Sequence, residues 1–202
     1  MIRKPEAKPG KREHLRAVRK RQSLLWNIIL LGGAGLSVLA IAAYVIATGR
    51  PGPLPGEQVI PDEGAAHIRT TDNVTPQYAH YPPSSGTHYG DAVAPWGVYT
   101  KDNPVPEGVF VHNLEHGGVV FLYRCPDACP ELEQQLGELY KKAPPDSTFN
   151  EVKIVITPYA KDLPTTIVAL AWDHQLNLDQ FDETLLLRWY KRFVNRGPEL
   201  AR

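Results

Sequence analysis

The sequence of 202 residues contains only two cysteines and one methionine. Two cysteines are too few for a small scaffold held together by disulfides, and the single methionine, Met1, excludes a methionine-rich copper-binding surface. The chain also lacks a G-x-S-x-G elbow, a P-loop and a dinucleotide-binding fingerprint, so three large enzyme classes have no sequence support. Because 43% of the residues are hydrophobic, a wholly disordered chain is excluded too.

The net charge of the whole chain is zero, since 22 Lys and Arg balance 22 Asp and Glu. Positive and negative residues are nevertheless unevenly distributed along the chain. Residues 1–22 hold 9 basic and 2 acidic residues, a net charge of +7, and by subtraction the remaining 180 residues hold 13 and 20, a net charge of −7. An acidic body does not attract a polyanion, so we expect no nucleic-acid partner.

No charged residue occurs between Arg21 and Arg50. A helix over Leu24 to Thr48 would be about 37 Å long, enough for a hydrocarbon core of about 30 Å, and the apolar stretch is too long for a cleaved signal peptide. We therefore predict a transmembrane helix over residues 23–49. By the positive-inside rule, the basic arm 1–22 is cytoplasmic and the rest of this single-pass protein of the cell membrane is extracytoplasmic, with the lipid bilayer as a partner.

Residues 50–66 carry four prolines and three glycines, which is typical of a semi-rigid, extended linker. We expect one folded domain over residues 67–202. Short apolar runs with β-branched or aromatic residues predict its strands. They are Gly108–His112, Gly118–Arg124, Val152–Pro158 and Thr165–Trp172.

Two later segments have helical spacing. Leu132, Leu136 and Leu139 recur on one face after Pro130, and a second apolar face follows near the C-terminus. The members of that second face are Leu186, Trp189, Tyr190 and Phe193. The resulting order ββαββα predicts an α+β domain with a mainly antiparallel sheet and its helices on one face.

Histidines are concentrated in one part of the predicted domain. Five of the seven fall within 50 residues, namely His67, His80, His88, His112 and His116. Because imidazole is the commonest metal ligand, we predict a copper or zinc site, copper before zinc, with His80, His88, His112 and His116 as ligands. Glu115 would orient an imidazole N–H. The alternative is a structural or protein-interaction domain in which these histidines bond tyrosines and backbone.

His112 to His116 also matches H-x-x-E-H, the pattern of inverted zinc metallopeptidases, in which a helix presents both histidines. Here the preceding apolar run favours a strand, on which the two rings would lie about 13 Å apart. Gly117 and Gly118 would have to supply a bend to bring them together. We therefore do not expect a peptidase, and we assign no catalytic residue.

The two cysteines, Cys125 and Cys129, lie between a predicted strand and a predicted helix. In an oxidising compartment they are expected to pair as a stabilising disulfide. Thiolates at a helix N-terminus also have a lowered pKa, which suits redox chemistry or soft-metal binding. A thiol–disulfide oxidoreductase is therefore a further hypothesis.

Several blocks of the sequence resemble a bacterial family catalogued as domain of unknown function 3105. The blocks are YPPSSGTHY (81–89), WGVY (96–99), VHNLEHGGVVFLY (111–123), VITPY (155–159) and ALAW (169–172). The resemblance covers about residues 78–196. It implies a single-pass membrane protein with its domain outside, in which His88, His112, Glu115 and His116 are important.

The segment YRCPDACPELEQQL (123–136) resembles the copper-binding motif of the Sco family of membrane-anchored copper chaperones. Cys125 and Cys129 are the matching residues. The resemblance implies a thioredoxin-like fold as an alternative to the α+β arrangement above. That family also uses a distal downstream histidine, and the only histidine downstream here is His174.

Overall fold

The computed structural model describes residue 40 and residues 52–125 and 128–202. The predicted basic arm 1–22 lies outside the described residues, as does the predicted transmembrane helix 23–49 apart from residue 40. Among the described residues, no helix combines the length and apolar character needed to cross a membrane. A compact unit extends from Pro51 to Arg202.

Eight strands and three helices, labelled here from residue 52 onward, form this unit in the described part of the chain. The strands are β1 Glu57–Val59, β2 His67–Ile68, β3 His88–Tyr89, β4 Gly97–Val98, β5 Val119–Tyr123, β6 Ile154–Pro158, β7 Ile167–Ala171 and β8 His174–Leu178. The helices are α1 Glu107–Glu115, α2 Pro130–Lys142 and α3 Glu183–Phe193. A short 3-10 helix covers Thr70–Asp72.

Six strands form one mixed sheet in the order β1-β8-β7-β5-β6-β4. The pairs β1–β8, β8–β7 and β7–β5 are antiparallel, whereas β5–β6 and β6–β4 are parallel. The strands β2 and β3 form a separate parallel pair. The fold is thus α+β as predicted, and its main sheet is mixed, with three of its five strand pairings antiparallel.

Helices cover both faces of the main sheet, which corrects the prediction that they share one face. Side chains alternate along β5, so Val119, Phe121 and Tyr123 pack with α2 and α3. Val120 and Leu122 point to the opposite face and pack with α1. Each face of the sheet therefore has its own apolar core.

The predicted strand Gly108–His112 is wrong, because these residues belong to α1. The helix begins after Pro106, with Glu107 in its first turn. Phe110 and Leu114 are completely buried against the second face of the sheet. Burial of this apolar stripe outweighs the preference of the valines for extended backbone. The other three predicted strands are confirmed with bounds shifted by at most two residues, and both predicted helices are confirmed.

Five strands, β1 to β4 and β8, do not appear in the predicted order. Residues 57–59 of the predicted linker form β1, which pairs with β8, and Leu54 is buried in the core. Part of the predicted linker is therefore folded. The strand β8 follows β7 through a turn at Asp173, whose backbone φ is +58°. Its sequence HQLNL contains only two apolar residues, so the apolar-run criterion did not detect it.

Candidate metal centre

The small parallel sheet brings two histidines together from distant positions in the sequence. His67 on β2 and His88 on β3 are direct partners in its register. Their ring centroids are 4.6 Å apart with the rings nearly perpendicular. His88 is completely buried, whereas the side chain of His67 is 45% exposed. One histidine of the pair, His88, therefore lies inside the domain, and the other, His67, lies at its surface.

Helix α1 contributes the next two side chains. His112 and Glu115 are three residues apart on the helix and therefore share a face. The ring centroid of His112 lies 5.3 Å from that of His88 and 5.7 Å from that of His67. The side chains of four residues thus meet between α1 and the small sheet.

The carboxylate of Glu115 lies at the centre of this group. Its Oε2 is 3.0 Å from Nε2 of His67 and 2.9 Å from Nε2 of His88. Burial alone would raise the pKa of Glu115, but the bonds from His67 and His88 outweigh it and hold that pKa below the usual value. Glu115 is only 2% exposed, so it is a buried carboxylate kept in its charged form.

Backbone carbonyl groups orient the imidazole rings. Nδ1 of His88 donates to the carbonyl oxygen of Gly86 at 2.8 Å, and Nδ1 of His112 donates to that of Ala92 at 3.0 Å. A carbonyl oxygen can only accept, so in each ring the hydrogen belongs to Nδ1. The Nε2 atom of a neutral ring then carries a lone pair, and in His88 this atom already contacts Oε2 of Glu115 at 2.9 Å. Metal-binding histidines are typically held in this way.

One ligand atom from each of His67, His88, His112 and Glu115 lies within 4.8 Å of the others. At ordinary metal–ligand distances of about 2.0–2.2 Å, ligand atoms around one ion are about 3–4 Å apart. Modest movements of the side chains would therefore let all four reach one ion. A surface cavity of about 610 Å³ borders His67.

His116, which caps the C-terminal end of α1, belongs to a neighbouring group. Its ring centroid is 4.5 Å from that of His112. Burial, reinforced by the nearby His112, lowers the pKa of His116 below its usual value. His116 lies with Glu115 and Glu199 in a second set whose ligand atoms are within 4.8 Å of one another.

His80, which the sequence suggested as a ligand, lies outside both groups. Its side chain is 44% exposed, and its Nδ1 lies 2.9 Å from Oε1 of Glu63. His67 takes its place in the first group. The density of histidines pointed to His67, but no sequence pattern predicts that two two-residue strands pair in the register that places it beside His88.

The helix also corrects our reason for setting aside the H-x-x-E-H pattern. His112 and His116 are close together, not about 13 Å apart, because α1 carries the first and its cap carries the second. In the peptidase pattern, the glutamate is a catalytic base beside the metal. Here Glu115 contacts two further histidines, His67 and His88.

Cys125 and Cys129 form the disulfide that was expected from the sequence. Both are half-buried and pack at the edge of the core that α2 and α3 share. Cys129 immediately precedes α2.

Comparison with known proteins gives one match. No curated protein and no solved structure is significantly similar to the chain. The family described as "Protein of unknown function (DUF3105)" matches residues 67–202, a span that contains both groups of ligand atoms. The chain therefore belongs to this family of proteins of unknown function.

Proposed function

We propose that this domain binds a transition-metal ion, copper or zinc, through His67, His88, His112 and Glu115. Three imidazole nitrogens and one carboxylate oxygen form a ligand set that suits Zn²⁺ and Cu²⁺. The proposal keeps two of the four histidines expected from the sequence and changes Glu115 from an orienting group to a ligand. With its predicted anchor, the protein would act in metal handling at the outer face of the cell membrane.

One observation carries this proposal: both nitrogens of the His88 ring face acceptors. Nδ1 lies 2.8 Å from the Gly86 carbonyl oxygen and Nε2 lies 2.9 Å from the Glu115 carboxylate. A neutral imidazole has one hydrogen and can satisfy only one of them. Either a second proton on the ring or a metal ion at the other position resolves the conflict. In this buried place, with His67 and His112 beside it, a metal ion uses all four groups at once.

The test is a comparison of two matched histidines. His67 and His80 are almost equally exposed, at 45% and 44%, and each contacts a glutamate. We expect His67→Ala to weaken Zn²⁺ binding by the purified full-length chain about 100-fold or more, because it removes a ligand. His80→Ala should stay within about twofold of the wild type. Isothermal titration with Zn²⁺, repeated with Cu²⁺, measures both affinities.

Metal should also stabilise the fold. At a free concentration 100 times Kd, an ion that binds only the folded state adds about 2.7 kcal/mol. No heat of binding and no shift in the unfolding midpoint with either ion would refute the proposal. It would leave the structural alternative, in which His67, His88 and Glu115 tie the small sheet to α1.

A thiol–disulfide oxidoreductase is the second candidate, and the position of the disulfide supports it. The strands β5 and β6 are parallel neighbours joined through α2, which makes a βαβ unit. Cys125 and Cys129 occupy its first connection, where a cysteine pair is typical of thioredoxin-like redox proteins. The order β8-β7-β5-β6, with β7 antiparallel to its neighbours, also supports the thioredoxin-like alternative for the fold.

This candidate predicts a readily reduced disulfide. Equilibration of the full-length chain with glutathione or dithiothreitol buffers should give a reduction potential between about −270 and −120 mV, the range of known catalysts. A value below about −300 mV would identify the bond as structural. The metal site lies elsewhere in the domain, so Zn²⁺ affinity should be the same in both redox states.

A further inference from the structure

A second set of ligand atoms shares Glu115 with the first. His116 and Glu199 each place a ligand atom within 4.8 Å of the others in this set, which Glu115 completes. Nε2 of His116 lies 3.7 Å from Oε2 of Glu199, which is too long for a hydrogen bond. Glu115 therefore belongs both to the set with three histidines and to the set with His116 and Glu199.

The C-terminal segment that carries Glu199 is held against the end of α1. The backbone N–H of Glu199 donates to the carbonyl oxygen of Glu115 at 3.0 Å, and that of Asn195 donates to Gly117 at 2.8 Å. Nζ of the buried Lys153 donates to the carbonyl oxygen of Ala201 at 2.7 Å. The position of Glu199 near His116 therefore follows from the packing of the C-terminal segment against the end of α1.

His116 is oriented as His88 and His112 are. Its Nδ1 donates to the backbone carbonyl oxygen of Arg202 at 3.2 Å. Nε2 of His116 then faces Oε2 of Glu199 at 3.7 Å. This separation matches the spacing of about 3–4 Å between two ligand atoms that bind one ion at about 2.0–2.2 Å.

We propose that the domain holds two metal ions and that the Glu115 carboxylate bridges them. The inference rests on the proposed function, since the first ion is the one assigned above. The second ion would be bound by Glu115, His116 and Glu199, three protein ligands that leave a position for water or another small ligand. Carboxylate-bridged pairs of ions are about 3.5–4 Å apart, which the shared glutamate permits. Two divalent ions exceed the charge of the two glutamates, so the open position suits an anion.

The number of ions bound tests this inference. Isothermal titration of the full-length chain with Zn²⁺ should give two ions for the wild type and one for Glu199→Gln, with the tighter affinity changed less than about threefold. Glu138→Gln is the matched control, because Glu138 is 50% exposed against 53% for Glu199 and lies elsewhere, on α2. It should bind two ions. With Cu²⁺, the wild type should show the coupled electron paramagnetic resonance spectrum of a close pair, and Glu199→Gln an isolated-ion spectrum.

The outcomes separate this inference from the proposed function. One Zn²⁺ per wild-type chain, unaffected by Glu199→Gln, would overturn the bridged pair and leave the first site intact. Two ions in both proteins, or two uncoupled coppers in the wild type, would place the second ion elsewhere and also overturn it. No binding at all would reject the proposed function itself.

Discussion

Replacing Gly197 with alanine should destabilise the folded domain by about 3 kcal/mol, the upper part of the range for overpacked sites. A Cβ at this position would lie 2.0 Å from the carbonyl oxygen of Glu115, 2.4 Å from the nitrogen of Gly117 and 2.6 Å from the carbonyl oxygen of Leu114. All three are backbone atoms at the end of α1, so no side chain can rotate away. Denaturation with urea at constant pH measures the change.

Gly137→Ala provides the control for this prediction. Gly137 lies in α2, and a Cβ there would meet nothing within 4 Å. Alanine at that position should stabilise the fold by about 0.5–1 kcal/mol, because glycine is a poor helix former. If Gly197→Ala proved as stable as the wild type, the C-terminal segment would not be seated against α1, and the position of Glu199 would lose its structural basis.

The elements that the sequence predicted correctly are those whose pattern is local. The strands β5, β6 and β7 are continuous apolar runs, and α2 and α3 have apolar residues at helical spacing. These apolar patterns identify the elements correctly because each element is buried along its whole length or along one face. The prediction failed for helix α1 because the helix is buried from Phe110 to Glu115. Its polar residues His112, Asn113 and Glu115 are buried with the apolar ones, so the polarity pattern does not mark an exposed face.

Part of the candidate site could be predicted because some of its residues are close together in the sequence. His112, Glu115 and His116 are adjacent in sequence, and the histidine density around them pointed to a metal. What the sequence did not predict was the choice between His67 and His80. That choice depends on the pairing of β2 with β3, which places His67 opposite His88, and on Glu63, which binds His80 elsewhere. Such long-range pairings leave no periodic trace in a single sequence.

The largest effect on metal binding is expected from Glu115→Gln, because this one carboxylate belongs to both sets of ligands. The amide keeps the size of the side chain and an oxygen that accepts from His67 or His88, but it removes the negative charge. We expect the affinity for the first Zn²⁺ to fall at least about 100-fold, since a lost ligand costs at least as much as a lost supporting group. The second ion, left with His116 and Glu199, should not bind at all.

Glu63→Gln is the matched control for this change, because Glu63 contacts His80 as Glu115 contacts His67. It should leave both the affinity and the number of ions unchanged. The unfolding midpoint of each metal-free variant verifies that the domain is folded before titration. If Glu115→Gln is folded and still binds Zn²⁺ as tightly as the wild type, the ion does not sit between α1 and the small sheet. The buried His88–Glu115 contact would then be a structural ion pair whose cation is a proton.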